Sequence, residues 1–404
     1  MTPYGGALYF GVLLYPTLIA LGLGLAERLS WRWILAITVG MVVVQYWGAG
    51  AWGVADLAPA GTVREVWLIA GYAVAQWAIA RAFLAVRVRR ADAVQSGGAW
   101  AARRDFAVAV VLSVAPLAAA KALPLLAPGT TAGFLGISYV TFRCLDVIIG
   151  IQDRLITTLP AGRYVTYLFF FPTISSGPID RYRRFVTDLE HRRTRAEVLS
   201  DLGAGLHRIF TGLLYKFILA ALVHRYWLQP VTGADGALAT VSYMYAYSAY
   251  LFLDFAGYSH FAIGVSYFFG IRTPENFDRP WLAANIADFW NRWHMSLSFW
   301  FRDHIYMRFV IAATKGRWFP NKNLASYTGF FLTFGLMGLW HGPAWHYIAY
   351  GLYHAALLSG HAALNRRGRQ RDWWGSGPVW RAAGIVLTIN LVCFGFLIFS
   401  GRLR

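Results

Sequence analysis

Long apolar runs alternate with short polar linkers along the chain. The runs fall near 7–26, 33–51, 66–86, 105–126, 132–151, 201–227, 239–270, 325–341, 344–364 and 382–400. Most approach the ~20 residues that a helix needs to cross a hydrocarbon core of ~30 Å, so the pattern predicts roughly ten or eleven spans. Two stretches at 164–178 and 286–314 break the rhythm and read as irregular material at membrane depth.

The linkers divide by charge. Those at 87–104, 180–197, 302–323 and 365–381 are rich in Arg and Lys, whereas 50–63 and 228–238 contain neither. Basic linkers stay on the cytoplasmic side, so this division places the N-terminus outside and the 366–371 cluster inside. The segment before Glu27 carries no Lys or Arg. It therefore lacks the basic start of a cleavable signal peptide and reads as a retained first span. No internal repeat or low-complexity tract interrupts 1–404, which reads as one membrane domain with its core over about 105–364.

Composition sharpens this picture. Of the 404 residues, 57% are hydrophobic and only 14% charged, with a mean hydropathy of +0.45; soluble domains carry about 25% charged residues. The fold class is an all-α polytopic membrane protein. The net charge of +18 is accounted for by topology-setting linkers rather than by nucleic acid. Cys144 and Cys393 both lie in apolar runs and suit neither a disulfide framework nor a zinc site. HExxH, phosphate-binding glycine loops, GxSxG and Cys/His clusters are missing from the sequence, which removes the corresponding hydrolases and nucleotide-driven pumps.

At 164–178, "YVTYLFFFPTISSGP", only about eight residues precede Pro172, too few to span, and both flanks are basic. A re-entrant dip follows, and irregular backbone at that depth must be buried in protein or line a wet cavity. At 286–311, Ile286, Trp290, Trp293, Leu297, Trp300, His304, Met307 and Ile311 recur at helical spacing. Asn291, His294, Ser298 and Arg302 then share another face, with Asp288 near it, so the segment predicts one amphipathic helix. Its Arg302–Arg308 end also fits an interfacial helix with Trp and Arg anchors.

A second histidine, His341, ends the uncharged run "FFLTFGLMGLW" ahead of Gly342 and Pro343. Ionisable groups at membrane depth are functional-site candidates by default. Arg143 and Asp146, three residues apart, are expected to pair on one helix face; Asp254 and His260 are further intramembrane candidates.

"FWNRWHMSLSFWFRD" (289–303), followed by "GLWHG" (338–342), resembles the membrane-bound O-acyltransferase family. "FFPTISSGPIDRYRRF", "SYVTFRCLDVIIG" and "LDFAGYSHFAIGVSYFFGI" look like its members that carry out teichoic-acid D-alanylation. The resemblance covers roughly 134–353. It implies a ring of about 11 spans with re-entrant and amphipathic helices around a tunnel. It also implies a D-alanyl thioester on the 4'-phosphopantetheine arm of a small carrier protein, and an acceptor hydroxyl, or a partner transferase protein, on the outer face. No cofactor is expected to be bound permanently, and no metal. The family's two histidines fall on His294 and His341, and its carrier-docking surface on Arg308, Phe309, Val310 and Ile311. Arg308, Lys315 and Arg317 suit an acidic carrier.

Acyl transfer to a hydroxyl needs a base, donors for the oxyanion and exclusion of water. His294 is the expected principal base, with His341 orienting the acceptor or stabilising charge, or the reverse; Asn291 and Ser298 are the orienting or oxyanion candidates. The expected setting is a multi-pass bacterial plasma-membrane enzyme. Two other readings stay open: O-acetylation of an exported polysaccharide, and a proton-coupled transporter or flippase, which commonly shows paired broken helices that this chain lacks.

Overall fold

The computed structural model describes residues 4–47, 63–92, 98–127, 133–371 and 377–403. Within them the chain is helical, with one isolated antiparallel bridge and no strand. The outward linker expected at 50–63 falls outside the described residues except for residue 63, as do 93–97 and 372–376 of the basic linkers. Contacts group into two compact units, Met1–Phe210 with His260–Pro274, and Thr211–Ser259 with Glu275–Arg404.

In chain order the helices begin with α1 (Ala7–Leu25), α2 (Trp31–Trp47), α3 (Val63–Asp92), α4 (Gly98–Leu126), α5 (Ile137–Gln152), α6 (Ala161–Phe169), α7 (Tyr182–Glu190) and α8 (Arg195–Leu213). Then follow α9 (Ala220–Val223), α10 (Gln229–Thr232) and α11 (Ala237–Phe268). The last six are α12 (Ile286–Trp290), α13 (Met295–Phe301), α14 (Met307–Lys315), α15 (Lys322–His341), α16 (Trp345–Arg371) and α17 (Pro378–Phe399). Among the described residues five stretches are long and apolar enough to cross a bilayer by composition alone: Leu8–Leu25, Glu65–Arg89, Ala101–Leu126, Arg195–Thr232 and Pro378–Phe399. The fourth joins α8, α9 and α10 through π-helical turns at Leu214–Leu219 and His224–Leu228. Helices α11, α15 and α16, of 32, 20 and 27 residues, have the length. Their Tyr, Ser, Asn, His and Trp content keeps them below that threshold, because these helices present polar groups to protein as well as apolar groups to lipid.

The first unit explains the interrupted segment at 164–178. Helix α6 spans nine residues, ~14 Å, and stops where Pro172 has no N–H to offer the Leu168 carbonyl four residues back. Arg143, wholly buried on α5, supplies donors instead: its guanidinium bonds the carbonyls of Tyr167, Leu168 and Thr173, each at 2.9 Å. A cation at a helix C-terminus also opposes the dipole there. One turn on, Asp146 accepts from the backbone N–H of Tyr182 at 2.9 Å, at the start of α7, and pairs with Arg181 at 3.0 Å. Beyond the pairing expected of them, Arg143 and Asp146 divide a labour: α5 caps the end of one short helix with its cation and the start of the next with its anion. Residues 164–174 are almost continuously buried, as irregular backbone at membrane depth requires.

In the second unit α15 and α16 pack backbone to backbone. A Cβ on Gly351 would sit 2.2 Å from the Phe334 carbonyl oxygen, and one on Gly338 2.4 Å from that of Tyr347. Small residues permit this approach between membrane helices. Gly351→Ala should force the pair apart and cost about 1–3 kcal/mol, as overpacking does; a lowered thermal midpoint in detergent is the readout. Asp254 on α11, an open candidate from the sequence, is ion-paired with Lys216 in the first π-helical turn. In the first unit, His260 meets Arg208 at 3.2 Å.

Candidate active site

The stretch 286–311 is not one helix. Asn285 caps α12 by accepting from the Asp288 N–H at 2.9 Å, while the Asp288 carboxylate accepts from the Ala284 N–H at 3.1 Å. The helix ends after five residues at Trp290, with Asn291 as its C-cap. The chain then turns through Arg292 and Trp293, and restarts as α13 behind His294. His294 holds φ 42° and ψ 51°, the left-handed region that a non-glycine residue adopts at a cost of ~1–3 kcal/mol and that concentrates at functional sites. A second interruption, the π-helical turn Arg302–Tyr306, separates α13 from α14.

Tertiary bonds impose this break. Residues 276–278 run antiparallel to 292–295: Asp278 N–H bonds the Arg292 carbonyl at 3.0 Å, and Met295 N–H bonds that of Asn276 at 2.9 Å. The fully buried Asn276 amide donates to Ser259 Oγ on α11 at 3.0 Å, and its carbonyl accepts from Ser296 Oγ at 2.6 Å. Ser298 Oγ donates back to the Trp293 carbonyl at 3.0 Å, and Ser298 N–H to that of His294 at 2.9 Å. Arg292 locks the turn from outside through Asp288 (2.7 Å) and Asp278 (3.2 Å). The His294 backbone is thus clamped on both sides.

The side chain is free to act. The ring is buried, with Phe255 set edge-on at 4.7 Å, and its Nε2 has no hydrogen-bond partner. Other buried polar atoms of this structure also lack a partner, His354 Nε2 among them; that of His294 stands apart because its residue is held in the left-handed region. His341, the last residue of α15, lies within electrostatic reach of that ring. It is half-buried, between Trp340 at 4.6 Å and Phe399 at 5.0 Å. The structure therefore brings the two histidines of the sequence reading into one neighbourhood of the second unit.

The remaining candidates divide. Asn291, Ser298 and Arg302 do share a surface: they line a cavity of about 190 Å³ with Trp290, Phe334 and Met337. His294 is not in that wall, because the left-handed turn takes it off the face that an unbroken helix would have given it. Ser298 spends its O–H on the Trp293 carbonyl, so it shapes the loop. Arg308, Phe309, Val310 and Ile311 sit on α14. Ile311 is 47% exposed, whereas Val310 abuts Gly329 of α15, and Phe309 faces Trp318 and Phe319. Met307 and Trp318 complete an exposed apolar edge beside Ile311.

Sequence reasoning missed Asn276, Ser259, Ser296 and the wholly buried His354, whose Nδ1 accepts from Trp290 Nε1 at 3.3 Å. Nothing in "TPENF" marks Asn276, since its partners are remote in sequence. Asn276→Ala should leave buried Ser259 and Ser296 without it, at about 1–3 kcal/mol. Loosening the His294 turn should then lower the turnover rate more than substrate affinity. Asn276→Asp, which keeps the acceptor for Ser296, should fall between; a kcat and KM comparison of the three proteins tests this.

The model of the membrane-bound O-acyltransferase family matches residues 74–398. A teichoic acid D-alanyltransferase of Bacillus subtilis is 42% identical, over 100% of this chain and 98% of its own. That of Lacticaseibacillus rhamnosus is 38% identical over the same shares. A probable alginate O-acetylase of Pseudomonas aeruginosa is 34% identical over 66% of this chain and 49% of its own.

Proposed function

Because the chain belongs to the membrane-bound O-acyltransferase family and aligns end to end with teichoic acid D-alanyltransferases, we propose that it moves a D-alanyl group from a carrier-protein thioester to a hydroxyl of an envelope polymer across the bacterial plasma membrane. The observation that carries the chemistry is the buried, unpartnered Nε2 of His294 on a clamped, left-handed residue.

In this reading the acceptor hydroxyl gives its proton to neutral His294 as its oxygen attacks the thioester carbonyl. The tetrahedral oxyanion collapses, the carbon–sulfur bond breaks, and the leaving thiolate takes the proton back from the imidazolium. Such a base contributes about 10²–10⁴-fold. His341 orients the acceptor or steadies the developing charge; Asn291, the other orienting candidate, lines a cavity that His294 does not wall. Burial of His294 among aromatic rings keeps bulk water from competing for the thioester.

The 4'-phosphopantetheine arm comes as part of the substrate and leaves with it. The carrier would dock on the α14 edge, where Met307, Ile311 and Trp318 are exposed and Arg308, Lys315 and Arg317 supply positive charge. Deleting the gene and measuring alkali-labile esters in the envelope tests the reading. D-alanyl esters should disappear and return with the wild-type gene. Loss of acetyl esters with D-alanyl esters intact would instead favour the acetylation chemistry of the alginate relatives.

A further inference from the structure

Behind α12, on the side formed by α16 and α17, the second unit carries a groove of about 920 Å³ that the acyl-transfer chemistry does not use. Its volume lies within the range of ligand sites. Leu357 and Leu364 of α16 and Leu387 and Leu391 of α17 form apolar walls, and the floor at Gly360 is open, with nothing within 4 Å of where its Cβ would be. Towards one end lie Arg381, the one strongly basic lining residue, and His361 and Asn365, hydrogen-bonded to each other at 2.9 Å; Asn285 and Thr388 are the other polar lining residues. The lining contains no carboxylate, and Arg381 makes no ion pair among the described residues.

The groove matches one leaflet in depth. Arg381 sits in the first turn of the α17 span, next to Trp380, an aromatic of the kind that marks the headgroup level. Leu391 lies ten residues further on, ~15 Å along the helix, half of a ~30 Å hydrocarbon core. A cation at the interface above a leaflet-deep apolar slot fits a phosphate-bearing amphiphile. The inner wall is Asn285 and Ile286, the N-cap and first residue of α12, so whatever fills the slot supports the helix that leads into the His294 turn.

We propose that this groove holds an anionic phospholipid of the surrounding leaflet, with its phosphate on Arg381 and an acyl chain between α16 and α17. The full-length protein, its Arg381→Gln variant and its Gly360→Leu variant would each be equilibrated in nanodiscs of equal phosphatidylglycerol and phosphatidylcholine. After extraction into detergent, the retained lipids are counted by native mass spectrometry. Wild type should retain phosphatidylglycerol preferentially. Arg381→Gln should lower the phosphatidylglycerol-to-phosphatidylcholine ratio about fivefold, as loss of one interfacial basic residue does. Gly360→Leu, which fills the floor, should lower total retained lipid and the thermal midpoint gained on adding phosphatidylglycerol. Equal lipid ratios in wild type and Arg381→Gln, or unchanged retention in Gly360→Leu, would overturn the proposal. Displacement of the lipid by inorganic phosphate alone would overturn it too, because the slot would then be a simple anion site.

Discussion

Replacing His294 with asparagine should leave a folded, membrane-inserted protein that transfers D-alanine about 10²–10⁴-fold more slowly. Asparagine tolerates the left-handed region better than other non-glycine residues, so the turn at φ 42° keeps its geometry while the proton acceptor disappears. Alanine at the same place would confound two losses, the base and the conformation. Rates measured beside size-exclusion profiles of the two proteins check this result. His341→Asn should cost less; a larger loss there would exchange the roles of the two imidazoles.

Arg143→Met should do the greatest damage to stability. Met approximates the length of the stem, but three buried carbonyls, those of Tyr167, Leu168 and Thr173, lose their donor together. At about 1–3 kcal/mol for each unsatisfied buried group, the sum approaches the whole stability of an ordinary domain. The protein should aggregate on extraction rather than lose activity as a folded species. Arg143→Lys should recover part of the yield only, because a single ammonium cannot reproduce the guanidinium fork. Monodisperse yield of the three proteins, followed by fluorescence size-exclusion, is the measurement.

What the sequence discloses and what it hides follow from the range of the interactions concerned. Apolar runs are local, and they locate the helices well. The short α6 and its irregular continuation were legible from Pro172 and Gly177, since proline and glycine act on their own backbone. The break at His294 was not legible. The spacing of Ile286, Trp290, Trp293, Leu297 and Trp300 continues through it at helical period, and histidine is no helix breaker. The turn exists because Asn276, Ser259, Phe277 and Ser296 hold it, and those contacts join residues 17 and 20 apart through side chains and pair Phe277 with Trp293 across the bridge. Arg143 and Asp146 teach the same lesson: three-residue spacing suggests a pair, but the helix ends that their charges cap lie tens of residues away and leave no local mark. His294 and His341 could be picked out from residue type and setting. Their proximity could not, because it depends on where α15 ends.

Transfer by the purified protein in sealed proteoliposomes isolates the chemistry from the rest of the envelope. D-[¹⁴C]alanyl carrier protein is supplied on one side and a polyol-phosphate acceptor on the other. Label should leave the thioester and appear as an alkali-labile ester across the membrane, at a rate that falls about 10²–10⁴-fold in the His294→Asn protein. Transfer at an undiminished rate in that protein, properly folded, would contradict the assignment of His294 as the base.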